Sequence, residues 1–223
     1  MTSVDVRQRL LAANEAAADE LRRRFLAQRT LAVNLISSPG SGKTTLLEAT
    51  VAHLRERFRI GVVVGDIATE LDAARLRVLG VPAHQVLTGG SCHLDARQVS
   101  DAVARAGFDG LELLFVENVG NLICPTSYDL GEDFKVVVLS VAEGEDKPFK
   151  YPAIFARADV CVISKVDLLP HLPFRLDEVR DQVRTLRPAG TTLELSARTG
   201  DGVEAWCELL TQRLAAKRLA AAR

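Results

Sequence analysis

The residues able to do chemistry gather at a few points along the chain, and the densest point is Ser37 to Thr45, SSPGSGKTT. Pro39, Gly40, Ser41 and Gly42 make a small, flexible turn. Backbone N–H groups can converge on a phosphate there because the two glycines carry no Cβ to crowd it, and a helix start adds its positive dipole end. Lys43 then reaches the terminal phosphates, the Thr44 hydroxyl suits Mg²⁺, and Thr45 continues into the helix. The strict phosphate-loop pattern has Gly where this chain has Ser37. A glycine turn capping an ordinary helix would share these residue types, but here an apolar run precedes the turn and leucines at helical spacing follow it, which is the order strand, phosphate loop, helix.

Further polar residues stand at the ends of apolar runs downstream. Asp66 ends the run Ile60 to Val64, where it suits a metal ion or an attacking water and equally suits the start of a turn. Glu117 ends the run Leu111 to Val116, with Gly120 three residues later. That is the spacing of an acidic residue holding Mg²⁺ and a backbone N–H sensing the terminal phosphate. Ser164, Lys165, Val166 and Asp167 resemble the guanine-recognition sequence Asn-Lys-x-Asp. A carboxylate at Asp167 can accept from the N1–H and 2-amino groups of guanine, whereas adenine offers neither donor, and the stem of Lys165 can lie along the base. Ser196 and Ala197 follow a later strand where a backbone loop would support that base. The expected catalytic set is therefore Lys43, Asp66 and Glu117, with Thr44, Asp66 and Glu117 as magnesium candidates.

A third group is of another kind. Cys92 and His93 are adjacent, and Cys124 lies four residues beyond Gly120. Thiolate with imidazole suits Zn²⁺ or Ni²⁺ rather than Mg²⁺ or Ca²⁺, and three ligands from one chain leave a site open or let two chains complete it. Cys92 lies near an expected helix start, whose dipole would lower its thiol pKa. The alternative is that these cysteines are small buried apolar residues and the histidine is merely satisfied.

Stepping outward, the elements that must position these groups alternate. Residues 4–28, with Val6, Leu10, Leu11, Leu21, Phe25 and Leu26 among alanines and charges, read as an amphipathic helix. After the phosphate-loop strand, Leu31 to Ile36, a helix to about Phe58 is followed by strand Ile60 to Val64 and helix Glu70 to Leu79. A short apolar piece, Gln85 to Leu87, leads to a helix ending near Ala106 and then to Leu111 to Val116. Strand Phe134 to Val141 precedes a charged loop, Ala142 to Tyr151, read as exposed. Strand Val160 to Ser164, helix Asp177 to Leu186, strand Thr192 to Leu195 and a helix from Val203, with an end expected to fray, finish the chain. The pattern predicts an α/β fold with a mostly parallel sheet and helices on both faces. We divide it into an N-terminal helix, 1–29, and a nucleotide-binding domain, 30–223.

Composition narrows the function. With 223 residues and 48% hydrophobic content the chain can bury one good core. A net charge of −1 and a pI near 6.4 give no basic footprint for nucleic acid or an anionic membrane. No run approaches the roughly 20 apolar residues that span a bilayer, so a cytoplasmic protein is expected. The four cysteines, Cys92, Cys124, Cys161 and Cys207, then read as thiols.

Taken together, GGSCHLDA, FVENVGNLICP, VAEGEDKPFKYP and SKVDLLP resemble the HypB family, the GTPases that assist nickel insertion into nickel-iron hydrogenase. The resemblance runs from about Leu31 to Gly202. It implies a SIMIBI-class P-loop GTPase that binds GTP/GDP and Mg²⁺, forms a homodimer, and holds Ni²⁺ or Zn²⁺ at the dimer interface through Cys92, His93 and Cys124. The implied partners are accessory maturation proteins and the hydrogenase large subunit. The related UreG family carries Cys-Pro-His, whereas here Thr126 follows Cys124 and Pro125. Two other readings use the same residues: a P-loop small-molecule kinase, and a metal carrier with a non-hydrolysing nucleotide site.

Overall fold

The structure, a computed structural model, describes residues 3–67, 69–108 and 110–221, with the backbone alone for 3–7. The predicted residue Val6 therefore lies outside the described side chains. Its strands are β1 (Leu31–Ser37), β2 (Ile60–Asp66), β3 (Ala83–Leu87), β4 (Leu113–Glu117), β5 (Phe134–Ser140), β6 (Val160–Ser164) and β7 (Thr191–Leu195). The helices are α1 (Ser3–Gln28), α2 (Lys43–Leu54), α3 (Leu71–Val78), α4 (Ala96–Arg105), α5 (Lys147–Lys150), α6 (Pro152–Arg157), α7 (Leu176–Leu186) and α8 (Val203–Ala220). The strands form one seven-stranded sheet in the order β3-β2-β4-β1-β5-β6-β7. Every pairing is parallel.

Alternation along β1 explains the two-sided core. Leu31, Val33 and Leu35 face a cluster that takes in Leu46, Leu47 and Val51 of α2 and Trp206 and Leu210 of α8. Ala32 faces α1 and α4, while Ile36 faces Phe155 of α6 and Val179 of α7. Successive residues of a strand point to opposite faces, so a central strand covered on both sides must be apolar throughout. Asn34 is the polar residue in this run, and it too is fully buried.

On α1, Asn14, Ala18, Leu21 and Phe25 form the buried stripe, at the 3.6-residue period of a helix lying on a core. Leu26, expected on that face, is 48% exposed because it falls off this stripe; Leu10 is in register with the stripe, one turn before Asn14, and is 59% exposed. Three further expectations need correction. The helix after the phosphate loop stops at Leu54 rather than near Phe58. The charged loop 142–151 is not simply exposed, since a 3₁₀ turn at Val141–Glu143 and α5 fold it back, with Pro148 buried. The C-terminal end does not fray within the described residues: α8 runs to Ala220, where Lys217 pairs with Asp133 at 2.6 Å and Arg218 pairs with Glu112.

Candidate functional site

All strands run the same way, so the segments leaving β1, β2, β3, β4, β6 and β7 meet along one edge of the sheet. Between β1 and α2, positive φ occurs at Gly40 (+78°) and Gly42 (+95°). Those angles are costly for any residue with a Cβ. Ser37 is outside that region, at the end of β1, so a side chain is tolerated where the strict pattern has glycine. Its hydroxyl accepts from Lys43 Nζ at 2.8 Å. Lys43 is buried, and burial pushes its ammonium pKa down despite the nearby Glu117.

The Thr44 hydroxyl donates to Glu117 Oε1 at 2.8 Å. Glu117 is 4% exposed, and burial raises its carboxyl to about 7, opposed by the charge of Lys43. Its Oε2 is buried with no hydrogen-bond partner. Asp66, half-buried at the end of β2, accepts from the Thr69 N–H at 2.9 Å, so it begins a turn and also faces the shared cavity. That cavity, of about 440 Å³, is lined among others by Pro39, Lys43, Thr44, Asp66, Glu117 and Gly120. Gly120 lies against the phosphate loop, where a Cβ would come within 2.9 Å of Pro39 Cγ.

A second cavity of about 220 Å³ adjoins the first. Ser41, Thr45, Ser164, Asp167, Ser196 and Ala197 line it, and Lys165 borders both cavities. Lys165 takes φ +61° and donates from Nζ to the Gly40 carbonyl at 2.7 Å. Ser164, in the position of the usual Asn, donates to the Ser41 carbonyl at 2.7 Å and so ties β6 to the phosphate loop. One cavity is thus lined by a Lys, an orphaned carboxylate oxygen and backbone turns suited to phosphates, and its neighbour by a half-buried carboxylate suited to a base.

Cys92, His93 and Cys124, all half-buried, bring one candidate ligand atom each within 4.8 Å of the others. Cys92 Sγ lies 3.6 Å from His93 Nδ1, and the His93 ring packs on Tyr128 with centroids 3.9 Å apart. The expected lowering of the Cys92 pKa is not found. A hydrogen bond with the Cys124 thiol, together with burial, pushes it up instead, and α4 begins only at Ala96, behind the acidic cap Asp95. Burial lowers the His93 pKa, which favours the neutral imidazole that can donate a lone pair.

Sequence reasoning missed Asn118. It is 1% exposed, follows Glu117 directly, and its Oδ1 accepts from the Leu94 N–H and the Val119 N–H, both at 3.0 Å. Its Nδ2 donates to Asn34, which donates to Glu132, each at 3.3 Å. Asn118 stands just past the end of β4, and nothing local marks it, since Leu94 and Asn34 reach it from distant segments. Glu143 was missed as well: it bonds the Ser41 hydroxyl from the loop after β5.

Comparison with known proteins agrees with this geometry. The family described as CobW/HypB/UreG, nucleotide-binding domain, matches residues 31–194. The hydrogenase maturation factor HypB of Escherichia coli (strain K12) is 49% identical over 203 residues, covering 91% of this chain and 70% of that protein. The crystal structure of HypB from Archaeoglobus fulgidus superposes with a TM-score of 0.86 at 37% identity, over 91% of this chain and 99% of the other. HypB from Helicobacter pylori, solved in complex with nickel, also gives 0.86, at 38% identity and over 94% and 97% of the two chains.

Proposed function

We propose a function from one premise: this chain belongs to the HypB hydrogenase maturation factors of the CobW/HypB/UreG family. It is a GTP-hydrolysing metallochaperone that binds nickel, or zinc, through Cys92, His93 and Cys124 and assists nickel insertion into nickel-iron hydrogenase. The observation that carries this is the pair Glu117 and Asn118. Glu117 bonds Thr44 of the nucleotide site, and Asn118 bonds the backbone of Leu94, the residue after His93. Nucleotide chemistry and metal chemistry meet in adjacent residues.

The phosphates lie over the 39–45 turn, with Lys43 leaving Ser37 to reach them. The residues present fit a magnesium ion: a threonine hydroxyl and a buried carboxylate with one unpartnered oxygen face the same cavity, with Asp66 beside them. Bound there, Mg²⁺ would neutralise the charge that develops on the transferred phosphoryl group. Thr44 and Glu117 would hold it, Lys43 would stabilise the transferred phosphoryl group, and Asp66 would orient water. Asp167 accepts from guanine N1–H and the 2-amino group, the Lys165 stem covers the base, and Ser196 and Ala197 close the far side.

Gly120 touches the phosphate loop and Cys124 follows it on the same segment. A change at the terminal phosphate therefore moves Cys124 relative to Cys92 and His93, and metal affinity differs between nucleotide states. Three ligands per chain fit a homodimer with the cargo between two copies, released to accessory maturation proteins and the hydrogenase large subunit. The test is titration with Ni²⁺ and Zn²⁺ in GDP and in a non-hydrolysable GTP analogue, with Cys92→Ala and Cys124→Ala as controls and sizing of each sample. State-dependent affinity that both substitutions abolish supports the reading, and tight nucleotide binding without metal in either state overturns it.

A further inference from the structure

The metal ligands sit on two separate turns. Cys92 and His93 lie between β3 and α4, and Cys124 lies beyond β4. Affinity for a cation depends on holding those turns at a fixed spacing, because ligands left to search for one another lose entropy on binding. Asn118 grips the first turn from below. A second amide reaches both turns from the side.

Asn14, on α1, is 6% exposed. Its Oδ1 accepts from the Ala96 N–H at 2.9 Å, and its Nδ2 donates to the Asp129 carbonyl at 2.8 Å. Ala96 follows His93 by three residues and Asp129 follows Cys124 by five. The Ala96 N–H opens α4 and has no partner within that helix, while Asp95 caps Gln98 instead. An amide carries its acceptor and its donors on two separate atoms, so it can clasp the N–H that follows one turn and the carbonyl that follows the other. Arg22, two helical turns along, pairs with the Asp129 carboxylate at 2.6 Å. Tyr128, next to Asp129, carries the ring that packs on His93. A cavity of about 260 Å³ lined by Leu10, Ala13, Asn14, His93 and Tyr128 sets α1 directly beside the imidazole.

We propose that Asn14 is a positioning residue for the metal site, fixing the separation of the His93 and Cys124 turns by bonding to the backbone that leaves each of them. This rests on the reading of Cys92, His93 and Cys124 as that site. Groups that orient ligands without touching the cation are worth about 10- to 100-fold in affinity, and Asn14 acts in that range. α1 is then part of the metal centre as well as of the core.

The test uses the full chain, with Ni²⁺ alone as probe, chelator competition for affinity and the thiolate-to-nickel charge-transfer band for geometry. Asn14→Ala should weaken Ni²⁺ binding by about tenfold or more and shift the band, with kcat for GTP unchanged. Phe25→Leu thins the packing of α1 while leaving both Asn14 bonds, so it should lower the thermal midpoint without moving nickel affinity. If Asn14→Ala does not fold, Asn14→Ser, which reaches one turn but not both, carries the same expectation. Nickel affinity within twofold of wild type with an unmoved band overturns the role of Asn14. Wild-type protein that binds no Ni²⁺, or binds it equally after Cys124→Ala, overturns the metal-site reading and this inference with it.

Discussion

Thr44 and Glu117 meet in one hydrogen bond of 2.8 Å, and it leaves the second oxygen of the carboxylate buried and unpartnered. An orphaned buried oxygen costs about 1–3 kcal/mol. A chain keeps such a group where a ligand satisfies it, and here the missing partner lies toward the cavity that Lys43 and Gly120 line.

The first prediction follows. Glu117→Gln preserves shape and the Thr44 contact but removes the charge, so GTP hydrolysis should fall about 10²-fold or more, with GDP binding less affected. Steady-state hydrolysis across a magnesium series measures it. Turnover within threefold of wild type at saturating magnesium would remove Glu117 from the catalytic set.

The proposed reading assigns base choice to Asp167, which lines the smaller cavity together with Ser196 and Ala197. Two charge-assisted hydrogen bonds to guanine are worth about 1.5–3 kcal/mol each, and inosine lacks the 2-amino donor. Wild-type protein should therefore prefer GTP to ITP by at least about tenfold, and Asp167→Asn should erase the preference. Equal affinity for the two nucleotides in wild type would move guanine recognition elsewhere.

Thiol chemistry separates the four cysteines. Cys161 and Cys207 are buried, and burial pushes their thiols up to about 12 and about 11. Cys92 and Cys124 are half-buried. Near pH 8 a disulfide reagent should titrate two thiols in the native protein and four after denaturation, because only an accessible thiolate attacks. Pre-loading with Ni²⁺ should silence the first two. A native count of four would contradict the burial of Cys161 and Cys207, and no protection by metal would count against Cys92 and Cys124 as ligands.

The glycine turn and the succession of strands and helices along the chain were legible in the sequence because each rests on local rules, glycine at positive φ and apolar runs, whereas the grouping of Cys92, His93 and Cys124 came from the family resemblance. Ser37 and Ser164 looked like defects by pattern. Folding shows their use, since one receives Lys43 and the other bonds the Ser41 carbonyl from 123 residues away. Asn14, Asn118 and Glu143 were illegible for the same reason. Their partners Ala96, Asp129, Leu94 and Ser41 are brought near only by the parallel sheet and the packing of α1, and a buried amide among apolar neighbours has no local signature. The Cys92 pKa failed differently: a helix dipole was expected to lower it, but α4 begins only at Ala96, and the hydrogen bond with Cys124 together with burial raises it.

Asn118 yields the last prediction. Its side chain joins the Leu94 and Val119 backbones, so the turn bearing His93 is fastened to the segment that runs from Glu117 to Cys124. If nucleotide alters metal affinity through that fastening, metal must alter nucleotide affinity by the same factor, typically about 5- to 150-fold. Asn118→Ala removes the fastening while leaving all three metal ligands and Glu117 in the chain. It also strands buried N–H groups, so a loss of about 1–3 kcal/mol in stability accompanies it, measurable by urea unfolding. Nickel titrations in GDP and in a GTP analogue should then converge, with the ratio of dissociation constants falling toward one, and nucleotide titrations with and without nickel should converge equally. A variant that folds, binds both ligands and keeps the wild-type ratio would show that the coupling runs along the backbone from Gly120 to Cys124 alone.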